Sequence, residues 1–242
     1  TRRFSDLSGL GSSSTLPVAI MEAFREYLGL PLGEYDVAQL AVQIERYELG
    51  FKGGLQDQYA ATFGGVNFME FGPGPRVIVN PLRVRSNVIA ELEASLVLYF
   101  TGVSRESAAI IEDQSRLLNA KADDSIDAMR MLKDDAFAMK ERLLLGDVRG
   151  VADVLDRSWQ AKKRTSSRVS SPLIEAVHET AMQHGAYAGK VSGAGGGGFM
   201  MFLVDPGKRA KITRALADFG GQVMTCHFEE NGARAWRVND RS

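Results

Sequence analysis

The chain has 242 residues, which is enough for one large domain or two smaller ones. Its formal net charge of −1 lacks the basic excess of general nucleic-acid-binding proteins, and no apolar run is long enough to span a membrane. The single cysteine, Cys226, excludes an internal disulfide and is typical of a reducing compartment. These features predict a cytoplasmic protein that binds neither nucleic acid nor a membrane.

A stretch rich in glycine and hydroxyl groups, Ser8–Thr15, stands almost at the start of the chain and reads S-G-L-G-S-S-S-T. Apolar residues at helical spacing follow it and predict a helix over 15–29 that ends at Gly29. The free N–H groups and the dipole at the start of such a helix suit an anion such as phosphate. They equally suit a plain N-cap after a flexible loop, and the local pattern leaves both interpretations open.

The remaining pattern predicts two groups of elements. In the first group we expect helices over 37–49 and 56–61 and a hairpin of strands over 66–71 and 76–80. The second group begins with a strand over 95–100, and its further predicted elements are helices over 104–119, 125–145, 148–162 and 172–184, a strand over 199–204, a helix over 206–219 and a strand over 222–229. The change of strand partners near residues 81–90 predicts domains over 1–85 and 86–242. The strand–helix–strand order near the C-terminus favours an α+β fold.

A second glycine run, Gly193–Gly198, matches G-x-G-x-x-G formally. The dinucleotide fingerprint needs that motif between a strand and a helix, whereas here an apolar strand follows, so a dinucleotide site is excluded. Consecutive glycines are entropically costly in a mere turn. We therefore favour close approach of this backbone to a ligand over a flexible turn.

Two acidic residues and one basic run remain ambiguous when each is taken alone. Asp57 follows a Gly-Gly loop and could cap the next helix or serve as a general base, and the cap is favoured locally. Glu45 could ligate Mg²⁺ or lie on a solvated helix face. The run Lys162–Arg164 predicts a solvated helix end, with a sugar-phosphate contact as the alternative.

Taken in order, these motifs resemble those of the GHMP kinase superfamily. S-G-L-G-S-S-S-T is similar to the family's phosphate loop, G-L-Q-D-Q-Y-A to the segment with its catalytic Asp, and K-V-S-G-A-G-G-G-G-F to its third motif. Bacterial sugar kinases of the D-glycero-D-manno-heptose 7-phosphate kinase type share further segments with this chain. These segments are E-R-x-x-L-G-x-x-G-G-x-Q-D-Q-Y-A-A-x-F-G-G, Y-F-T-G-V-S-R and S-W-Q-x-K-K.

The resemblance implies a two-domain α+β GHMP kinase fold, with a ribosomal protein S5 domain 2-like N-terminal domain and a ferredoxin-like C-terminal domain. It also implies a role for each matching residue. Asp57 would accept the substrate hydroxyl proton, and Ser13 and Glu45 would ligate Mg²⁺. ATP would be bound by Gly9, Leu10, Gly11, Ser12, Ser13 and Ser14. The substrate would be bound by Asp57, Thr101, Gly102, Arg105, Gly193, Gly195 and Gly196.

The function implied by the resemblance is ATP-dependent phosphorylation of a sugar or sugar phosphate, first of all the anomeric hydroxyl of D-glycero-D-manno-heptose 7-phosphate. ATP and Mg²⁺ are the implied cofactors, and a homodimer is an open option. Another GHMP kinase, such as a fucokinase, galactokinase or mevalonate-pathway enzyme, and a silent nucleotide- and sugar-binding sensor are the alternatives. The family's first motif and first strands have no counterpart before Ser8, so we expect the chain to be part of something longer.

Overall fold

The computed structural model of the chain describes residues 12–103, 107–120 and 123–238. These residues form two compact units. We call residues 12–82 with 229–238 the N-terminal unit, and residues 83–228 the C-terminal unit. The units divide between Leu82 and Arg83. The division into domains 1–85 and 86–242 stays a prediction.

The N-terminal unit is built from helices and one hairpin. Its elements are α1 (Ser12–Leu28), α2 (Glu34–Val42), a π-helix (Gln43–Glu48), α3 (Gln56–Phe63), β1 (Asn67–Phe71) and β2 (Val77–Pro81). Helix α1 is followed by Gly29 at φ +63°, a left-handed conformation that glycine adopts without steric cost. The predicted helix over 37–49 is confirmed, but it begins earlier and its last six residues form the π-helix.

Helix α2 contributes to two hydrophobic clusters of this unit because its two buried faces pack against different elements. Val37 and Ala41 pack with Val18 of α1, four residues apart on one side of the helix. Ala38 and Val42 pack with other elements, among them Tyr59 of α3 and Val79 of β2. The strands β1 and β2 pair antiparallel with Met69 opposite Val79, as the alternating pattern predicts.

The C-terminal unit is an antiparallel sheet with helices on both faces. Its elements are α4 (Ser86–Ser95), β3 (Leu96–Phe100), α5 (Ser107–Asn119), α6 (Asp123–Leu145), α7 (Val148–Thr165), α8 (Pro172–Gln183), β4 (Ala186–Val191), β5 (Phe199–Val204), a 3₁₀ turn (Pro206–Lys208), α9 (Arg209–Ala217) and β6 (Gln222–Met224). The strand order β4-β5-β3-β6, with a helical crossover before β4 and another before β6, is the ferredoxin-like order. The implied ferredoxin-like domain is thereby confirmed.

The uninterrupted apolar sequence of β5 follows from burial on both faces of the sheet. Phe202 and Val204 belong to a core shared with α8 and α9, where Ile174 and Leu216 are buried. Leu203 points the other way and packs in a second core with α4 and α7. A strand buried on both sides loses the apolar–polar alternation of a half-exposed strand.

Three features of this unit differ from the sequence prediction. The last strand is shorter than 222–229, and helix α4 was missed within the region taken as a boundary. Strand β4 was missed because Gly189 and Lys190 both have low strand propensity. Helix starts were easier to predict: Ser171 caps α8 by accepting a hydrogen bond from the Ile174 N–H at 3.3 Å.

Gly189 is required by packing within this sheet. A Cβ at this position would lie 2.3 Å from Cδ1 of Phe202, whose side chain is fully buried. We expect Gly189→Ala to lower the free energy of unfolding by roughly 1–3 kcal/mol, the usual cost of overpacking a core. Urea denaturation would measure it, with Gly54→Ala as control because no atom lies within 4 Å of a Cβ there. Equal stability of the two variants would contradict this account.

Among the described residues, no helix is both long enough and apolar enough to cross a membrane.

Candidate active site

The start of α1 carries the serines of the predicted phosphate loop. Gly9, Leu10 and Gly11 lie outside the described residues, and α1 begins at Ser12. The two following serines differ in environment, since Ser13 is exposed whereas Ser14 is only 1% exposed. The loop's role in binding ATP therefore stays a prediction, and the structure describes only its helical end.

A buried chain of polar groups connects three elements of the N-terminal unit. Gln58 of α3 donates through Nε2 to Oε2 of Glu45 at 2.5 Å and to Oγ of Ser14 at 3.2 Å. All three residues are at least 97% buried. The Oε1 atom of Gln58 has no hydrogen-bonding partner among the described residues, although it is buried. One amide group thus binds both a carboxylate and a hydroxyl, and the hydroxyl belongs to the first turn of α1.

The π-helix positions Glu45 and its neighbour Arg46. The wider turn closes with the Leu49 N–H donating to the Ile44 carbonyl at 2.9 Å, five residues back. Arg46 donates from Nε to the Gly54 carbonyl at 2.9 Å, and its Nη1 lies 3.9 Å from Oε1 of Glu45. A Cβ at Gly53 would lie 2.7 Å from the guanidinium carbon of Arg46. Glycine at position 53 thus leaves room for the Arg46 guanidinium group beside the backbone that leads to Asp57.

Asp57 lies in the first turn of α3, next to Gln58 in sequence. Its side chain is half-buried, and it has no hydrogen-bonding partner among the described residues. It does not cap α3, whose N-cap residue is Leu55 and has no side-chain cap. The local preference for a capping role is therefore wrong, and the carboxylate remains available for chemistry beside the helix N-terminus.

Apart from Asp57, the predicted substrate residues that the structure describes lie in the C-terminal unit, where two loops meet. Thr101 donates from Oγ1 to the Gly198 carbonyl at 3.1 Å, and the Gly198 N–H donates to the Val103 carbonyl at 2.8 Å. Gly102 is exposed at φ +71°, and Arg105 lies outside the described residues. The structure thus joins the T-G segment to the third motif, while substrate binding by these residues stays a prediction.

The glycines of the third motif are needed for packing as well as for conformation. Gly193, Gly195, Gly196, Gly197 and Gly198 all have positive φ. A Cβ at Gly195 would lie 2.8 Å from the Val169 carbonyl oxygen, and one at Gly197 would lie 2.4 Å from the Val103 carbonyl oxygen. Contacts within the protein therefore account for glycine at these two positions without a ligand.

The sequence predicts a solvated helix end at Lys162 of α7, with a sugar-phosphate contact as the alternative. The structure places this lysine at the third motif. Its Nζ donates to the Gly193 carbonyl. Burial and the nearby charge of Lys190 lower the pKa of Lys162 to about 7. The pKa of Lys190 is also lowered by burial, while Asp135 acts in the opposite direction. Two lysine side chains thus lie together in a poorly hydrated place beside Gly193.

The lowered pKa predicts a pH-dependent effect of Lys162→Met on stability. Below pH 7 the lysine is charged in the folded and unfolded states and bears the full cost of burial; that cost shrinks from pH 7 to pH 10.5 because the folded state has released its proton. We expect the variant to be more stable than the parent at pH 6–7 and this gain to fade towards pH 10. Urea titrations at both pH values measure it, and a gain that is constant with pH would contradict the lowered pKa.

Comparison with known proteins identifies the class to which this fold and these residues belong. The model for the GHMP kinases N terminal domain matches residues 3–65, and the model for the GHMP kinases C terminal domain matches residues 139–222. The chain is 49% identical over 231 residues to a D-glycero-alpha-D-manno-heptose 7-phosphate kinase from Campylobacter jejuni, covering 96% of this chain and 68% of that protein. The chain belongs to the GHMP kinase family.

Solved structures agree with this assignment. A D-glycero-D-manno-heptose 1-phosphate kinase from Bacteroides thetaiotaomicron is 41% identical, with a TM-score of 0.77 over 97% of this chain and 65% of that chain. A Lactococcus lactis galactokinase, at 16% identity and a TM-score of 0.74 over 95% of this chain and 68% of that chain, shares the fold. The chain spans about two thirds of the length of these relatives.

Gln58 is the residue of the site that the sequence prediction missed. Its side chain is fully buried and bonded to both Glu45 and Ser14, yet it stands beside the more conspicuous Asp57. A helical spacing argument contained the signal: residues 57 and 58 point about 100° apart on α3, so one can face inward while the other stays accessible. A polar residue on the inward face of a helix needs partners, which here are a hydroxyl and a carboxylate.

Proposed function

We propose that the protein transfers the γ-phosphate of ATP to the anomeric hydroxyl of D-glycero-D-manno-heptose 7-phosphate. The observation that carries this proposal is the unpaired, half-buried Asp57 carboxylate, next in sequence to a glutamine that holds Glu45 and Ser14 in a buried network. The choice of sugar comes from the 49% identical relative, whose name gives heptose 7-phosphate as its substrate.

The chemistry assigned to Asp57 is that of a general base. Its carboxylate accepts the proton of the sugar hydroxyl as the hydroxyl oxygen forms a bond to the γ-phosphorus, and the bond from that phosphorus to the β–γ bridging oxygen breaks to release ADP. Asp57 lies in the first turn of α3 and forms no salt bridge among the described residues. The backbone N–H groups at the start of α1 would stabilise the phosphate oxygens.

The residues present fit a magnesium ion. Mg²⁺ prefers hard oxygen ligands, commonly one or two carboxylates completed by phosphate and water oxygens. Glu45 supplies a buried carboxylate, Ser13 and Ser14 supply hydroxyls at the adjoining helix start, and the buried Oε1 atom of Gln58 is an orphaned acceptor nearby. Bound there, the ion would neutralise charge on the β- and γ-phosphates. Glu45 with Ser13 is the assigned ligand pair.

A coupled assay of ADP release over sugars and sugar phosphates tests the proposed function. We expect heptose 7-phosphate to be used with the highest kcat/KM, and phosphorus NMR to place the new phosphate on the anomeric oxygen. Fucose, galactose and mevalonate are the decisive competitors, because fucokinases, galactokinases and mevalonate kinases are 24–27% identical to this chain. Preference for one of them would overturn the choice of sugar, and binding without ADP release would indicate a sensor.

The cellular location and the oligomeric state of the protein are further proposals. ATP and a phosphorylated sugar are cytoplasmic substrates, and the single Cys226 is a free thiol with a pKa raised by burial. We therefore assign the protein to the cytoplasm. A homodimer stays a prediction, which light scattering on the purified protein would check.

A further inference from the structure

Two lysines lie beside the glycine-rich third motif of the C-terminal unit. Lys162, near the end of α7, donates its Nζ hydrogen bond to the carbonyl oxygen of Gly193, the first glycine of the run. Lys190 lies on β4, three residues before Gly193. Both side chains are half-buried, while Gly193 itself is exposed. A ligand can therefore approach the place where these two cations are held.

The neighbouring cations of the same basic run are neutralised within the protein. Lys163 lies 3.3 Å from Glu175, and Arg164 donates from Nε to Asp124 at 2.8 Å. In contrast, across the part of the chain that the structure describes, neither Lys162 nor Lys190 has a carboxylate oxygen within 4.0 Å. Lys162 uses a backbone carbonyl instead, which satisfies a donor but leaves its positive charge uncompensated.

The acid that acts on Lys190 is paired through one of its oxygens with Arg157. Asp135 is buried, and its Oδ1 accepts a hydrogen bond from Nε of Arg157 at 2.6 Å, while its Oδ2 is buried without a hydrogen-bonding partner among the described residues. That pair is neutral together, so the two lysines remain as excess positive charge. Like charges brought together in a poorly hydrated place repel each other and lose hydration, which costs free energy unless an opposite charge joins them. Two close cations attract an anionic ligand, which makes this place a candidate anion-binding site.

We propose that Lys162 and Lys190 bind a phosphate group beside Gly193, and that this group is the one already carried by the sugar phosphate substrate. The inference rests on the proposed function and deepens it, because it names the residues that would select a phosphorylated sugar over a free one. A phosphate monoester near neutral pH carries close to two negative charges, and its approach favours the charged form of both lysines. Charge-assisted hydrogen bonds of this kind are about twice as strong as neutral ones.

Steady-state kinetics on Lys162→Met test the proposal, with Lys163→Met as the matched control. The control removes the adjacent lysine of the same helix, whose charge is already paired with Glu175. We expect the KM for heptose 7-phosphate to rise roughly 10- to 100-fold in Lys162→Met, as for loss of a hydrogen bond to a charged group. The KM for ATP and the kcat/KM for unphosphorylated heptose should stay within about twofold of the parent values. Lys162→Arg should restore most of the affinity, because it restores the charge.

Calorimetric binding of heptose 7-phosphate without ATP separates failure of the inference from failure of the proposed function. Weaker binding by Lys162→Met or, should that variant not fold, by Lys190→Met supports the inference even if no turnover is found. Unchanged binding by a folded variant of an active enzyme overturns the inference and leaves the function standing. A rise in the KM for ATP alone would assign the lysines to a nucleotide phosphate and overturn the sugar assignment. No binding of the sugar phosphate by the parent protein overturns both.

Discussion

Replacing Asp57 by Asn should lower kcat by roughly 10²- to 10⁴-fold, the usual contribution of a general base. The amide is nearly the same size as the carboxylate but cannot accept the hydroxyl proton at neutral pH. Because the Asp57 carboxylate has no hydrogen-bonding partner among the described residues, its loss breaks no structural bond, and we expect the free energy of unfolding to change by less than about 0.5 kcal/mol.

Two further measurements distinguish a catalytic effect of Asp57→Asn from a general loss of function. The affinity for ATP, measured by fluorescence titration, should stay within about threefold of that of the parent, since the change acts on the transition state. Asp153→Asn serves as control because Asp153 is exposed on α7 and carries no assigned role. Turnover of Asp57→Asn at the parental rate would refute the role given to Asp57.

Most of the helices and the hairpin were predictable because their signals are local. Gly29 after α1, and Ser171 with Pro172 at the start of α8, mark helix ends by backbone conformation and capping, which act within a few residues. The identity of Asp57 and Glu45 as candidates came from motif spacing. Their assigned roles remain predictions, whereas their surroundings are now described.

The features that the sequence did not predict depend on distant partners. Strand β4 forms because Ala188 and Val191 pack against opposite faces of the sheet and β5 pairs along it, although Gly189 and Lys190 disfavour a strand. Gln58 acquires its importance from a hydroxyl 44 residues away. Lys162 likewise differs from Lys163 through distant partners, a carbonyl 31 residues along the chain for Lys162 and the Glu175 carboxylate for Lys163. No local pattern carries such information.

Replacing Glu45 by Gln should raise the Mg²⁺ concentration needed for half-maximal activity by at least about 10-fold and lower kcat/KM by roughly 10²-fold. The carboxylate is the single buried anion of the network, so its neutralisation removes charge from the proposed magnesium ligand set. The isosteric amide can still accept the hydrogen bond from Gln58 Nε2 through its own oxygen. We therefore expect the variant to fold, with its thermal midpoint within a few degrees of the parent's.

A magnesium titration of ATP turnover measures this effect, and Glu48→Gln is the matched control. Glu48 belongs to the same π-helix but is exposed, so its neutralisation changes the local charge by the same amount without touching the network. Gln58→Leu extends the test, because it leaves Glu45 in place but removes the amide that orients it. This variant should shift the magnesium requirement in the same direction, since partners that orient a ligand typically contribute 10- to 100-fold. An unchanged magnesium requirement in Glu45→Gln would show that the buried carboxylate serves the fold of the π-helix rather than the metal.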